Sequence, residues 1–380
     1  MYTILADGKT VYAPNLAPDG YGVISPKLTL ELNKAGSLTF VLPPNNVRYD
    51  GIKKLKSIVT VFDGEEEIFR GRVLHDEKDF YNKKSLYCEG ELSFFVDSIQ
   101  KRYDYQGSLN NLFGFYINNH NKQVEEEKQF TVGQITVTDN NDYVHYSSSQ
   151  YPNTWDELVS KLVNTHGGYI RTRLADGIRY VDYIEDYNSY SSQVIEFGVN
   201  MLDISEYISA DEVFTVLIPL GAEIKSDLEE PTRLTIQSVN NGKDYIEDAD
   251  AIALFGRIWR VQKWDNVTVA SNLLTKGKEF LKRGIEMAVT ITIKAVDLHL
   301  LNVDTERIKL GDYVRVVSLP HKLDRYFLCT KIVYDLVNPD KTEFTLGSAT
   351  SSMTEKQVNN TRNVQNTIAV VQDNMQKIGM

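Results

Sequence analysis

Alternation with a period of two constrains this chain more than any other feature. Leu28, Leu30 and Leu32 alternate with Thr29 and Glu31, and after Asn33-Lys34-Ala35-Gly36 the pattern resumes at Leu38, Phe40 and Leu42. Successive side chains of a strand point to opposite faces, so this is a hairpin with one apolar face. Pro43-Pro44-Asn45-Asn46 ends it. Ile58 to Phe62, Ile68 to Leu74 and Ser85 to Glu91 are expected to be further strands, turned at Asp63-Gly64 and at Tyr81-Asn82-Lys83-Lys84. Short strands at this spacing predict a small barrel or sandwich.

From about residue 104 the texture changes. Asp104 to Asn121 is rich in Asn, Gly and Tyr and offers no clear assignment, and the charged run Glu125-Glu126-Glu127-Lys128 reads as a solvated loop or frayed helix. Thr154-Trp155-Asp156-Glu157 fits a capping box with Thr154 as N-cap and Glu157 at N3. Trp155, Leu158, Val159, Leu162 and Val163 then form one apolar helical stripe, ended by Gly167 and Gly168. Tyr169 to Leu174, Asp176-Gly177 and Ile178 to Ile184 follow as strand, turn and strand.

Strands return in the second half, with helices expected at Ala249 to Phe255, stopped by Gly256, and through Lys276 to Arg283. Ala288 to Val296 alternates, Gly311-Asp312 turns into a strand, and Tyr326 to Leu336 pairs with Glu343 to Leu346 around Asn338-Pro339-Asp340-Lys341. Near the C-terminus Val364, Ile368, Val371, Met375 and Ile378 are spaced 4, 3, 4, 3, a short a/d seam. Two heptads are too short to associate alone, so the seam fits either a bundle in a chain already oligomerised by its body or a helix packed back on its own domain.

Composition narrows the function classes. The 380 residues correspond to two to four domains at roughly 100–200 residues each. A net charge of −11 argues against gripping nucleic-acid phosphates over a broad face, which takes clustered Lys and Arg. No apolar run approaches the ~18 residues of a membrane span, and the first residues lack the basic flank and apolar core of a secretory signal. Cys88 and Cys329, each in a strand-like run, form neither a disulfide framework nor a thiolate zinc cluster. Tyr is abundant, at 22 residues, and many lie in alternating runs, as suits half-buried strands.

Catalytic patterns are missing. There is no His-Glu-x-x-His, no Gly-x-Ser-x-Gly and no phosphate-binding Gly-x-x-x-x-Gly-Lys-[Ser/Thr]. None of His75, His120, His145, His166, His299 and His321 lies within four residues of another. His166 is placed to cap a helix C-terminus, and a Cys–His pair would have to be built from strand cysteines with no helix N-terminus beside them. No catalytic, cofactor-binding or metal-ligating residue is assigned. Arg171, Arg173 and Arg179 cluster on one hairpin, either as a solvated face balanced by Asp182, Glu185 and Asp186 or as a subunit contact. Glu229-Glu230 reads as an exposed loop.

Several segments together resemble a known family: Phe69-Arg70-Gly71-Arg72-Val73 and Tyr87-Cys88-Glu89-Gly90-Glu91-Leu92; Gly167-Gly168-Tyr169-Ile170 through Tyr180-Val181-Asp182-Tyr183; Phe214 to Ala222; and Val296-Asp297-Leu298 with Leu310-Gly311-Asp312-Tyr313-Val314. In that order they resemble the prophage endopeptidase tail family, tail-associated baseplate hub proteins of long-tailed phages of Gram-positive bacteria. The resemblance implies an α+β, strand-rich multidomain fold. Two barrel-like β domains, residues 1–103 and 204–350, would flank an inserted α+β domain, residues 104–203, with a C-terminal helix at 351–380. It implies a homotrimer with a pseudo-sixfold face against a hexameric distal tail protein, and contacts with tape-measure and receptor-binding proteins. Placed at the virion tail tip, the trimer would close the tube and open to pass DNA without binding it specifically. Longer members carry a cell-wall-degrading domain after the hub; this chain stops at Met380, so the expectation is a structural hub and no enzyme, without cofactor or membrane insertion. The alternatives are a peptidoglycan hydrolase and a glycan- or receptor-binding module using Tyr to stack on sugars.

Overall fold

The computed structural model describes residues 1–139, 143–208, 213–224, 232–265, 267–286, 289–301, 306–321 and 323–347. Its first part is all strand: β1 (Tyr2–Ala6), β2 (Lys9–Tyr12), β3 (Ile24–Glu31), β4 (Ser37–Leu42), β5 (Ile58–Asp63), β6 (Glu66–Lys78) and β7 (Lys84–Gly90). The predicted hairpin is β3–β4, with Leu28 opposite Leu38 and both closed to solvent. Asn33, Gly64 and Asn82 take the positive φ that tight turns require at the expected positions.

An inserted unit follows: β8 (Tyr103–Gly107), α1 (Leu109–Asn121), β9 (Thr131–Ile135), β10 (Val144–Ser148), α2, β11 (Tyr169–Ala175) and β12 (Ile178–Ile184). Helix α2 starts at Thr154–Glu157, passes through a π-helical stretch Leu158–Val163 and ends at Asn164–His166. Asp176 and Gly177 both have positive φ, the two-residue turn whose twist suits the β11–β12 hairpin. The stretch without a clear assignment holds α1. Ser108 caps it, accepting from the N–H of Asn111, and Leu109, Leu112, Phe113, Tyr116, Ile117 and His120 form its buried stripe. The N-cap of α2 is Asn153, one residue earlier than the capping box predicts; its side chain accepts from the N–H of Asp156. Thr154 and Glu157 are instead buried in polar contacts with the rest of this unit.

The second half contributes β13 (Ser189–Glu196), β14 (Met201–Ile208), β15 (Val216–Leu220), β16 (Glu223–Ile224), β17 (Thr232–Arg233), β18 (Ile246–Glu247), α3 (Ala249–Phe255), β19 (Trp259–Lys263), α4 (Ala270–Glu286), β20 (Val289–Ala295), β21 (Asp312–Ser318), β22 (Leu323–Asp335) and β23 (Glu343–Gly347). Gly256, at positive φ, ends α3 as expected. Helix α4 lies on β15, with Gly277 against Pro219 and Ile246, over a small separate core that includes Phe214, Leu217, Trp264, Leu273 and Leu281.

The large sheet contains an internal repeat. Across the first half the strands run β3-β4-β7-β6-β5-β1, and across the second β14-β20-β23-β22-β21-β13. Strands β6 and β22 are each 13 residues long. Each pairs with the strand before it along its first half and with the strand after it along its second half. Each has a register shift on the latter side, between Val73 and His75 and between Cys329 and Lys331. Superposing the shifts makes Val59 and Val61 equivalent to Val314 and Val316, Leu86 and Cys88 to Phe344 and Leu346, and Phe40 to Ile293, all buried. One element differs, since β1 runs antiparallel to β5 whereas β13 runs parallel to β21.

The two repeats are joined edge to edge. Lys331 to Asp335 of β22 pair with Lys27 to Glu31 of β3, making one sheet of 13 strands over one hydrophobic core. The fold is strand-rich α+β, and among the described residues the sheet path from β14 to β2 does not close into a barrel.

Two glycines show how tightly the first repeat is packed. A Cβ on Gly90 would lie 1.7 Å from the carbonyl oxygen of Ala35, and one on Gly71 would lie 2.0 Å from that of Glu89, so backbone would have to move. Gly114, within α1, has nothing within 4 Å of that position. Gly90→Ala is expected to lower stability by about 2 kcal/mol or more, and Gly114→Ala to raise it by about 0.5–1 kcal/mol, as measured by urea unfolding.

Candidate assembly surface

Cys88 and Cys329 are fully buried and far apart in the sequence; burial pushes the Cys88 thiol up to about 12, where it is no nucleophile at neutral pH. His75 is exposed beside the Tyr87 ring, His145 contacts Asp104 on the exposed β8–β10 pair, and His321 bonds the Ser318 hydroxyl. His166 ends α2 as expected, its Nε2 against the Tyr146 hydroxyl at 2.9 Å.

His120 is itself fully buried and lies beside a buried hydroxyl. Its Nε2 lies 3.0 Å from the Lys128 carbonyl oxygen, which can only accept, so Nε2 carries the proton and Nδ1 accepts from Ser98 Oγ at 2.7 Å. Ser98 in turn contacts Thr154 Oγ1 at 2.6 Å, which accepts from Gln100 Nε2 at 2.8 Å. All four side chains are buried, and the Phe95 ring packs at a tilt against the imidazole, 4.6 Å between centroids. Burial holds the His120 pKa below its usual value, against the pull of the Lys128 carbonyl. A serine and histidine sealed from substrate, oriented by a carbonyl and no carboxylate, form a structural chain within the core of the inserted unit. Among the described residues no cluster of three or more His, Cys, Asp or Glu side chains could hold a metal, and no helix is long and apolar enough to cross a membrane.

The arginine cluster is divided between two partners within the chain. Asp182, with no exposed surface, accepts from Arg171 Nε at 3.0 Å, Arg173 Nε at 2.8 Å and the N–H of Gln134 at 2.8 Å. Arg179 reaches the first repeat and grips both oxygens of Glu67, at 2.6 and 2.8 Å, with Glu91 at 3.5 Å. Asn33, in the β3–β4 turn, donates to the Gly168 carbonyl and accepts from the N–H of Ile170. These contacts dock the inserted unit on the first repeat.

The motifs behind the family resemblance are structural too. Asp297 is buried and accepts from the side chain of Gln193 and from the N–H groups of His299 and Ile308. Asp312 accepts from Ser189 Oγ and from the N–H of Lys309. A Cβ on Gly311 would meet the Tyr187 ring at 2.3 Å. Arg307 ties the second repeat to the first through Asp63 at 3.1 Å and Glu66 at 3.0 Å.

Strand β14 ends the sheet, and the second half of β6 is paired only on its β7 side. The β6–β7 turn carries Phe80 and Tyr81 into solvent, and on β13, β21 and β22 Tyr190 stacks on Tyr313 and meets Tyr326 edge to face. The predicted seam Val364, Ile368, Val371, Met375 and Ile378 lies outside the described residues, as does Glu229-Glu230.

Comparison with known proteins meets this picture. Residues 189–357 match the model of the prophage endopeptidase tail family. The whole fold is similar to solved prophage tail proteins. A 43 kDa tail protein of prophage MuSo2 from Shewanella oneidensis has 13% identity and a TM-score of 0.63, over 92% of this chain and 98% of that one. A tail protein from Neisseria meningitidis MC58 has 14% identity and a TM-score of 0.61, over 91% and 96%. Prophage tail protein gp18 from Listeria monocytogenes EGD-e has 14% identity and a TM-score of 0.56, over 90% and 93%. Comparison with curated proteins gives no match.

The Asp182 node gives a pH prediction. Burial acts to raise its pKa, but the hydrogen bonds from Arg173, the Gln134 N–H and Arg171 outweigh burial and hold it below the ordinary carboxylate range. A depressed carboxylate stabilises the fold above its unfolded pKa of about 3.9 and loses that contribution as the pH falls through the lower folded value. Asp182→Asn should cost about 1–3 kcal/mol at pH 7. It should also flatten the fall in urea midpoint between about pH 5 and pH 2.

Proposed function

We propose that this chain is a structural subunit of a phage or prophage tail, a baseplate hub protein at the tail tip that assembles as a homotrimer and carries no catalysis of its own. The single observation that carries the reading is the internal repeat: two six-strand units with the same strand order and equivalent core positions. Three copies of a chain with two such units present six similar β units in a ring, a pseudo-sixfold face on which a hexameric distal tail protein can sit. The family match and the likeness to prophage tail proteins support it.

In this proposal the two repeats act as barrel-like domains centred on residues 1–103 and 204–350, the second also drawing β13 and the start of β14 from residues 189–203. Residues 104–203 form the inserted domain, and a helix at 351–380 runs along the threefold axis with Val364, Ile368, Val371, Met375 and Ile378 as its seam. DNA passes through the ring when it opens. The net charge of −11 per chain fits a wall that repels DNA.

Light scattering on the purified protein should give about 130 kDa, three times 43.3 kDa; a monomer at high concentration contradicts the trimer. Incubation with purified cell walls should release no soluble fragments. Release would favour the other reading of the family's name, a peptidoglycan-degrading tail protein.

A further inference from the structure

The contact between the two repeats of one chain is a template for a contact between chains. Within the chain, β22 of the second repeat uses the edge opposite β23 to pair with β3, the outer strand of the first repeat. The equivalent edge belongs to β6, and the equivalent outer strand is β14. Among the described residues neither has a strand on that edge: β14 pairs with no strand but β20, with Met201 also bridging Phe197, and past Val73, which bonds Leu55 and Ser57, no strand lies beside β6 except β7. Within the described chain β6 and β14 are not paired with each other.

We propose, on the strength of the hub reading, that β6 from His75 onward pairs antiparallel with β14 of a second copy of this chain, and that three such contacts close the ring. Six repeats then alternate around it through one kind of joint, three made within chains and three between them. A head-to-tail joint of this kind closes when its rotation divides the circle and otherwise runs on as a filament.

The register follows from the repeat. Asp335 lies opposite Lys27 and Val333 opposite Thr29. Lys331 and His75 are equivalent at the register shifts, so Val333 maps on Glu77. Lys27 maps on Ser205 through the rows Lys27–Thr39–Tyr87 and Ser205–Thr292–Thr345. Strand β14 of the partner therefore places Tyr207 opposite Glu77, with Ser205 diagonal to it.

A second, independent feature points to the same surface. One residue past β22, Leu336 is 2% exposed, buried in the shared core by the first repeat, and its N–H donates to the Pro26 carbonyl. Its equivalent past β6 is Phe80, which is 92% exposed. A large aromatic side chain standing in solvent, where its counterpart is packed against the adjoining repeat, is what the free half of such a joint leaves uncovered. The joint between chains is the more polar one. Where β22 has Ile332 and Tyr334, β6 has Asp76, paired with Lys54 at 2.6 Å, and Lys78, over the Tyr49 ring. This suits chains that fold first and associate afterwards.

The test uses the full chain with Glu77→Cys and Ser205→Cys together, both exposed positions, and a bifunctional maleimide spanning about 8 Å, the separation of diagonal cross-strand neighbours. The native Cys88 and Cys329 are buried and do not compete. The expected result is covalent trimer on a denaturing gel, with neither single variant giving it. Phe80→Asp, at an exposed turn position, should weaken association at least about tenfold by light scattering, with an unchanged circular dichroism spectrum. A trimer that neither crosslinks nor responds to Phe80→Asp overturns this joint and leaves the hub reading standing. A monomer under all conditions overturns both.

Discussion

The pairing of β22 with β3 is the contact on which the rest of the structure depends. It brings Lys331 to Asp335 against Lys27 to Glu31, near opposite ends of the described chain, and turns two six-strand units into one sheet over one core. Tyr2, Leu28 and Phe40 of the first repeat share that core with Ile293, Val316 and Phe344 of the second. Neither repeat is a complete apolar layer alone. Arg307, reaching Asp63 and Glu66, fixes the same junction electrostatically, and as a largely buried cation it would be costly to leave without those carboxylates.

Everything between the repeats is fastened to this frame and does not build it. The inserted unit has its own core around Phe94, Phe113, Tyr116, Leu158 and Tyr183, and it docks through Arg179, Glu67 and the Asn33 side chain. Its buried polar groups are used up internally: Glu157 accepts from Tyr103 and Tyr116, Asp182 from two arginines, and His120 completes a hydroxyl chain. Polar residues that look like chemistry in a list of residues are spent on holding loops and helix ends in place. Strand edges and exposed aromatics are the surface through which the proposed assembly would form.

Much of the strand content was legible because it rests on local physics. The Leu28–Leu42 alternation, the Asp176-Gly177 turn and the Gly256 helix stop are each written within a few residues. Helix α1 is hard to read from sequence although Leu109, Leu112, Phe113, Tyr116 and Ile117 have helical spacing, because the intervening Asn and Gly lower helix propensity and mask the stripe. The N-cap of α2 was misplaced by one residue because Asn153 and Thr154 are both good caps, and burial of Thr154 decided between them. The partners of Arg171, Arg173 and Arg179 were half legible. Asp182 faces them across the hairpin, but Glu67 comes from another unit. The β22–β3 joint had no sequence signal, since each strand alone shows only that one face is apolar. The repeat itself is a matter of strand order and register, and sequence identity between the two halves does not reveal it.

In the proposed assembly three chains form a ring of six alike β units. Electron microscopy of the purified, negatively stained protein tests it most directly. The account predicts class averages of a ring with a central opening and six similar lobes, related in pairs by threefold symmetry. Averages showing single compact particles, or a twofold dimer without an opening, would contradict it.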